Sequence, residues 1–409
     1  MKLRRVEPGS SPWPDVSTLP DVSDIVLGVQ AEGDAAVARI AKSVGDPPPR
    51  SVSQSELVVA YRTTDAALRQ VITNASDRIE LFAKTQRASL CDVALPVGGM
   101  TIGHRALPIE RVGIYVPGGR HPLVSTVLMC ATPARVAGVS HITMCTPNAT
   151  RDTLAAAHYA GVDACFEIGG AQAIAAMAFG TESVPKVDLI VGPGNAYVTA
   201  AKRLVFGVCG IDMLAGPSEV LVIASNDADP ALVSADLLAQ AEHDIAARVM
   251  FLTDDSGFAA AVDVELTKQQ LVIARTSGVV ADSIERYGCC AILPLPAAAL
   301  WANELAPEHL ELQGTRAEAL ASELRSYGAL FIGRGSAEVF GDYGIGPNHV
   351  LPTSSNARFA SGLSVFTFLI LRTYLHTIGD VDPEVIKEAT IFAGAEGLEY
   401  HSRAARARL

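Results

Sequence analysis

The 409-residue sequence predicts an α/β protein built on two parallel sheets, and three features carry that prediction. From about residue 111 onward, short β-branched apolar runs alternate with helix-length segments, the signature of strand–helix crossover units. Several of these runs, such as HITMCTP, read as buried strands. The number of units exceeds what a single sheet needs.

Residues 1 to about 110 read as polar and helical. DVSDIVLGVQAEGDAAVARIAKSV and QSELVVAYRTTDAALRQVITNASDRIELFAKTQ repeat apolar positions at helical spacing, with GDPPPRS as a loop between them. MTIGHRALPIERVGIYVPGG then supplies short β-rich runs ending in a turn at Pro117 to Gly119. TVLMCATPARVAG is a helix, HITMCTP a strand, and LAAAHYAG and AQAIAAMAFG are helices. VDLIVGPG is a strand entering a turn, AYVTAAKRLVFG a helix and SEVLVIAS a strand. Asp229 and Pro230 read as an N-cap and first-turn proline, so a helix is expected from there to about Asp244. ARVMFLT is the next strand and GFAAAVDVELTKQQLVIA the next helix. CCAILPL, HLELQG and GALFIG are short strands. The tail beyond Gly362 is mixed and ends in a helix that packs on its own body or on a partner subunit.

Apolar residues make up 49% and charged residues 19% of the chain, the balance of a globular protein with a substantial core. A formal charge of −12 argues against binding nucleic acid or an anionic membrane, since both need clustered Lys and Arg. It does not argue against a small anionic substrate. MKLRRVEPGS has no apolar run after its basic residues, and no apolar stretch approaches membrane-spanning length. The expected compartment is the cytoplasm. Seven cysteines without a C-x-x-C pair, most of them in apolar runs, read as buried free thiols. Any metal must then be held by His, carboxylate or amide.

Four stretches carry candidate chemistry. In LLAQAEHD, Gln240 and His243 are spaced i,i+3 near a helix end, which makes them half of an N/O metal site or simply a solvated helix end. VGPGNAYV places a Gly-Pro-Gly turn between strand and helix, where backbone amides favour phosphate. The dinucleotide fingerprint is incomplete there, and a structural tight turn fits as well. APEHLEL offers Glu308 and His309 as an acid/base pair. On an extended backbone the two point opposite ways, so they share a substrate only in a turn; a surface Glu beside a partly buried His is the alternative. GDYGIGPNHVLPTS contains Asp342, a third candidate ligand, and His349, a ligand or substrate contact, in a glycine-rich loop. His141 and His158 lie in apolar patterns and read as core-edge residues.

Taken together, ERVGIYVPGG, IGGAQAIAAMAFGTESVPKVDLIVGPGN, AKRLVFG, GIDMLAGPSEVLVIA, DLLAQAEHD, APEHLEL, GDYGIGPNHVLPT, ARFASGLSV and EGLEYH resemble the histidinol dehydrogenases, in order, over roughly residues 100 to 405. The resemblance implies a homodimeric, zinc-dependent, NAD-linked enzyme oxidising a primary alcohol to a carboxylate in two hydride transfers, with L-histidinol to L-histidine the leading reaction. It implies zinc ligands at Gln240, His243, Asp342 and His401, the last supplied by the partner's C-terminal tail. It implies catalytic roles for Glu308 and His309, and NAD contacts at Tyr115, Gln172 and Asn195. Substrate contacts fall on Ser218, His349 and Glu396, joined by His309 and the four metal-site residues. The implied architecture is two Rossmann-like domains, one formed by residues 21–114 with 223–360 and the other by 115–222. A small helical N-terminal extension (1–20) and a C-terminal dimerisation tail (361–409) complete it.

Some residues depart from the family pattern. Arg120-His121-Pro122 and HRALPIERVGIYVPGGRHP resemble paralogues that include dehydrogenases of sulfonated propanediols, and Arg120 is a candidate partner for an anionic group. Tyr400 and FTFLILRTYLH also depart, whereas GPSEV keeps the serine typical of histidinol enzymes. A paralogue acting on another polar alcohol therefore stands as an alternative. A zinc hydrolase using Glu308 on a bound water, and a non-catalytic nucleotide- or metal-binding protein, are alternatives from other classes.

Overall fold

A computed structural model describes residues 2–7, 9, 19–118, 123–272 and 277–409; Gly119, Arg120, His121 and Pro122 lie outside them. The chain opens with strand β1 (Arg4–Arg5), helices α1 (Ser23–Glu32) and α2 (Asp34–Val44), and β2 (Arg50–Val52). Helices α3 (Gln54–Thr63) and α4 (Ala66–Ala88) precede a hairpin of β3 (Val93–Val97) and β4 (Met100–Pro108). Strict alternation follows: β5 (Arg111–Tyr115), α5 (Val124–Ala137), β6 (His141–Cys145), α6 (Arg151–Tyr159) and β7 (Ala164–Glu167). It continues through α7 (Gly170–Phe179), β8 (Leu189–Val191), α8 (Ala196–Val205) and β9 (Gly210–Ile211).

A second alternating series comprises β10 (Glu219–Ala224), α9 (Pro230–Ala241), β11 (Arg248–Thr253), α10 (Ser256–Gln270), α11 (Ser277–Tyr287) and β12 (Cys289–Ile292). It ends with α12 (Leu295–Leu305), β13 (His309–Gln313), α13 (Thr315–Glu318), β14 (Ala329–Ile332) and α14 (Glu338–Asp342). The tail holds β15 (Leu369–Thr377), α15 (Pro383–Ala395) and α16 (Glu399–Arg406).

These strands form two six-stranded sheets and one three-stranded sheet. The first runs β2-β7-β6-β5-β8-β9 and is parallel except for β2; the second runs β1-β12-β11-β10-β13-β14 and is parallel throughout. Apart from the edge strands β2 and β1, each series starts in the middle of its sheet and reverses direction of travel once, between β5 and β8 and between β10 and β13. Helices cover both faces, which is why EVLVIA and RVMFLT are buried at every position.

The expected domain division needs correction. The helices within residues 21–114 pack mainly on the first sheet rather than with 223–360, although Arg78 of α4 donates to the Gly344 carbonyl at 2.7 Å. Val26, Val29, Val37 and Ile40 pack against α7, and Leu57, Ile72 and Ile79 share a core with Val112 of β5. The amphipathic faces of α1 to α4 thus bury on the first sheet, and the division falls between β9 and β10. The N-terminal extension is also not helical in its described part, since β1 pairs in parallel with β12. The hairpin β3–β4, read as part of a polar helical region and a β-rich run, turns on Gly98 and Gly99, both with positive φ. β15 adds to it antiparallel.

Asp229 caps α9 by accepting from the Ala231 N–H at 3.0 Å, with Pro230 at the first helical position as expected. The helix ends at Ala241, short of Asp244. Among the described residues, no helix is long and apolar enough to cross a membrane. Replacing Asp229 with Ala removes the cap and should cost about 1 kcal/mol, read as a lower urea midpoint with unchanged slope; an unchanged midpoint would show the cap to be idle.

Candidate active site

β10 and β13 are neighbours in register, Val220 opposite His309, so Glu219 and His309 come together at the start of the two strands. The backbone of Glu219 is held from both sides. Its N–H donates to Glu308 Oε2 at 2.8 Å, and its carbonyl lies 3.0 Å from His309 Nδ1. A carbonyl only accepts, so Nδ1 carries the proton and Nε2 is left with a free lone pair. Glu308 and His309 therefore do converge: Ala306, at φ 47, turns the chain just before them, and Glu308 precedes the strand instead of lying in it. Both side chains are buried. Burial raises the Glu308 carboxyl well above its ordinary value and lowers the His309 ring below its own. The Glu219 carboxylate completes the arrangement by pairing with Arg248 at 2.7 Å, both fully buried.

The candidate metal ligands come from two elements beside this pair. Asp342 ends α14, and its Oδ2 lies 3.6 Å from His243 Nε2. That is too long for a hydrogen bond, but two donors so placed can share an ion. Asp342 raises the His243 ring above its ordinary value. Burial pushes the Asp342 carboxyl up, but His243, His309 and His349 outweigh it and hold the group low. His243 lies just beyond the C-cap of α9, and its N–H donates to the Gln240 carbonyl at 3.3 Å, so the two share a last turn past the helix end. Gln240 is buried, and its amide is satisfied in one orientation: nitrogen donating to Glu338 at 3.1 and 3.2 Å, oxygen accepting from the Glu219 N–H at 2.9 Å. That oxygen keeps a second lone pair. Among the described residues, no group of three His, Cys, Asp or Glu side chains is arranged to hold a metal. Gln240, His243 and Asp342 carry N and O donors of the kind zinc takes, and of the three it is His243 and Asp342 whose donor atoms lie close together.

The opposite wall comes from the first sheet. Tyr115 ends β5 and Gly192 follows β8, so both lie where strand order reverses, the usual crevice for a nucleotide. The buried Tyr115 hydroxyl accepts from the Gly170 N–H at 3.1 Å, at the start of α7, and burial pushes it up to about 12. Gln172 is buried on α7. Asn195 is exposed and caps α8, its side chain accepting from the Tyr197 and Val198 N–H groups at 3.1 Å. The two walls meet through His349. Its Nδ1–H donates to the Asp342 carbonyl at 3.0 Å, so Nε2 accepts from Thr126 Oγ1 at 3.0 Å, in the first turn of α5.

Ser218 adjoins Glu219 and is half-buried, its carbonyl accepting from the Arg248 N–H at 2.9 Å. Glu396 and His401 are exposed, at the end of α15 and on α16, and none of their contacts reaches the site within this chain. Arg120 lies outside the described residues. Sequence reasoning missed Glu219, Glu338 and Thr126. The signal for Glu219 was available, as a carboxylate opening an otherwise apolar strand, EVLVIA.

The opposite shifts of His309 and His243 fix a sign. His309 has a folded value below 6.5, so the unfolded chain takes up its proton first, and stability falls as pH drops below that value. His243 is raised, so its contribution is present below 6.5 and lost as pH rises through its folded value. Nitrogen-15 NMR of the metal-free protein should show His309 neutral, protonated on Nδ1, at a pH where His243 still carries its charge. A proton on His309 Nε2 would contradict the geometry.

The model of the histidinol dehydrogenase family matches residues 14–409. A histidinol dehydrogenase of Aromatoleum aromaticum is 43% identical over 398 residues, covering 95% of this chain and 90% of that protein. One from Thermus thermophilus is 42% identical over 389 residues, covering 94% of each. The crystal structure of histidinol dehydrogenase from Elizabethkingia anophelis superposes with a TM-score of 0.92 at 34% identity, covering 99% of this chain and 98% of that one. On likeness this extensive, in sequence and in fold, the chain belongs to the histidinol dehydrogenase family of oxidoreductases.

Proposed function

We propose that this protein oxidises L-histidinol to L-histidine in two successive hydride transfers to NAD, at a zinc site completed by a second copy of the chain. The observation that carries the reading is the seating of Glu308 and His309 on the backbone of Glu219, beside His243 and Asp342, in a chain of this family. Zinc, held by Gln240, His243, Asp342 and the partner subunit's His401, would supply a Lewis-acidic seat for the alcohol oxygen, and NAD, against Tyr115, Gln172 and Asn195, the hydride acceptor.

The chain's own groups move the protons. His309 takes the alcohol proton on Nε2, and burial suits it to the task by keeping the ring neutral at pH 7. At the aldehyde stage Glu308, made a stronger base by burial, takes a proton from the attacking water. Each oxidation thus releases one hydride to the nucleotide and its protons to these two groups and then to solvent. Ser218, His349 and Glu396 hold the substrate's polar ends. The sharing of His401, and with it Glu396, is supported by the exposed apolar side chains of α15 and α16 and the residues joining them: Ile391, Phe392, Leu398 and Tyr400. It is supported also by an apolar groove of about 1020 Å³ flanking Asp342, lined by Phe82, Phe331, Phe340, Ile345, Leu351 and Phe366. A cytoplasmic location belongs to the same reading, supported by the free cysteines.

Three measurements test it. Two NADH should form per L-histidinol consumed, and His309→Asn should lower kcat by ~10²–10⁴-fold with zinc content unchanged; one NADH per alcohol, or lost zinc, would contradict the assigned roles. His401→Ala and Gln240→Ala subunits, each inactive, should regain about a quarter of wild-type activity when reassociated in equal amounts, since half the dimers then carry one intact site. No recovery in verified mixed dimers would exclude sharing.

A further inference from the structure

Lys202 and Asp212 form a buried ion pair that the chemistry above does not use. Their side chains are 3% and 0% exposed, and Lys202 Nζ lies 2.6 Å from Asp212 Oδ1. Burying such a pair is costly, and an apolar pair of similar volume often serves stability as well. What this pair does is close on one residue. Asp212 Oδ2 accepts from the Gly192 N–H at 2.7 Å, and Lys202 Nζ donates to the Gly192 carbonyl at 2.6 Å. Both backbone groups of Gly192 are thereby fixed by charge-assisted bonds.

Gly192 is the residue at which β8 turns toward α8. Its φ of 108° is open to glycine, and a Cβ there would run into the Tyr115 carbonyl. Three residues on, Asn195 caps α8. Asp212 also anchors the start of the segment leading to Ser218, accepting from the Met213 N–H at 2.6 Å. That segment has anchors of its own. Thr199 donates to the Ala215 carbonyl at 2.7 Å, Asn356 to the Leu214 carbonyl at 3.1 Å, and Thr353 accepts from the Gly216 N–H. Among the described residues, Lys202 and Asp212 supply the side-chain bonds to the Gly192 backbone.

We infer that Lys202 and Asp212 are positioning residues for the nucleotide: they set the Gly192–Asn195 turn so that the start of α8 meets NAD. The inference rests on the reading of this crevice as the NAD site. Loss of the pair should therefore weaken NAD binding much more than alcohol binding or the chemical step.

The test uses the zinc-loaded full-length protein, with Lys202→Met, Asp212→Asn and the double variant, which removes the unpaired buried charge and keeps an acceptor for the Gly192 N–H. NAD affinity is measured by calorimetry, alongside KM for each substrate, kcat, zinc content and Tm. In the double variant Tm should recover toward wild type, while Kd and KM for NAD stay raised tenfold or more, and KM for L-histidinol, kcat and zinc content stay within threefold. Lys202→Arg, which preserves charge and donor, should recover part of the NAD affinity. NAD affinity that is unchanged in all variants, or that returns in step with Tm in the double variant, overturns the inference and leaves the pair purely structural. Wild-type protein that bound no NAD would instead remove the reading beneath it, and the inference with it.

Discussion

The backbone of Glu219 is the fixed point of this structure. It is held in a parallel sheet by β11 and β13 on its two sides, and its own carboxylate is paired with Arg248 where neither group meets water. A buried pair of this kind contributes little net stability, but losing one partner strands the other's charge and costs ~3–5 kcal/mol. The Glu219 backbone therefore has one available position. Glu308 and His309 are referenced to it, and through Nδ1 it decides which nitrogen of His309 is free to act as a base. Gln240 takes its bearing from the same place, its amide oxygen accepting from the Glu219 N–H. The proposed acid/base pair and one candidate metal ligand thus share a single backbone reference.

The two sheets contribute opposite ends to the site. The first offers the carboxyl ends of its strands, where β5 and β8 diverge, the crevice in which such sheets usually bind ligands. The second offers its amino ends, where β10 and β13 begin. Buried carboxylates near there take backbone N–H donors: Glu311 accepts from the Glu338 N–H at the start of α14 at 2.9 Å, just as Glu308 accepts from that of Glu219. His349 spans the gap between the walls, with one ring nitrogen on the Asp342 carbonyl and the other on Thr126.

Much of this was legible in the residues. Alternating apolar runs and helices gave the two sheets, and Asp229-Pro230 gave the start of α9 to the residue. Glu308, His309, Gln240, His243, Asp342 and His349 were all singled out, and the structure brings them to one place. What could not be read was which sheet each early helix would cover. An amphipathic face in α1 to α4 says that it is buried, but many apolar surfaces can cover it, and the first sheet does so here. The meeting of Glu308 and His309 was also illegible locally, because it depends on a third residue 89 positions away in sequence. The β3–β4 hairpin could have been found, since Gly98-Gly99 between extended runs is a hairpin signal. The reading of the region as helical and β-rich passed over it.

The central claim is that Glu219 orders the catalytic pair so that His309 meets the alcohol through Nε2 beside a zinc shared between subunits. A crystal structure of the zinc-loaded protein with L-histidinol tests it most directly. The account predicts Glu308 and His309 still bonded to the Glu219 backbone, His309 Nε2 within hydrogen-bond reach of the alcohol oxygen, and the partner subunit's His401 on the metal with Gln240, His243 and Asp342. An alcohol bound away from His309, or a His309 ring turned to place Nε2 on the Glu219 carbonyl, would contradict it.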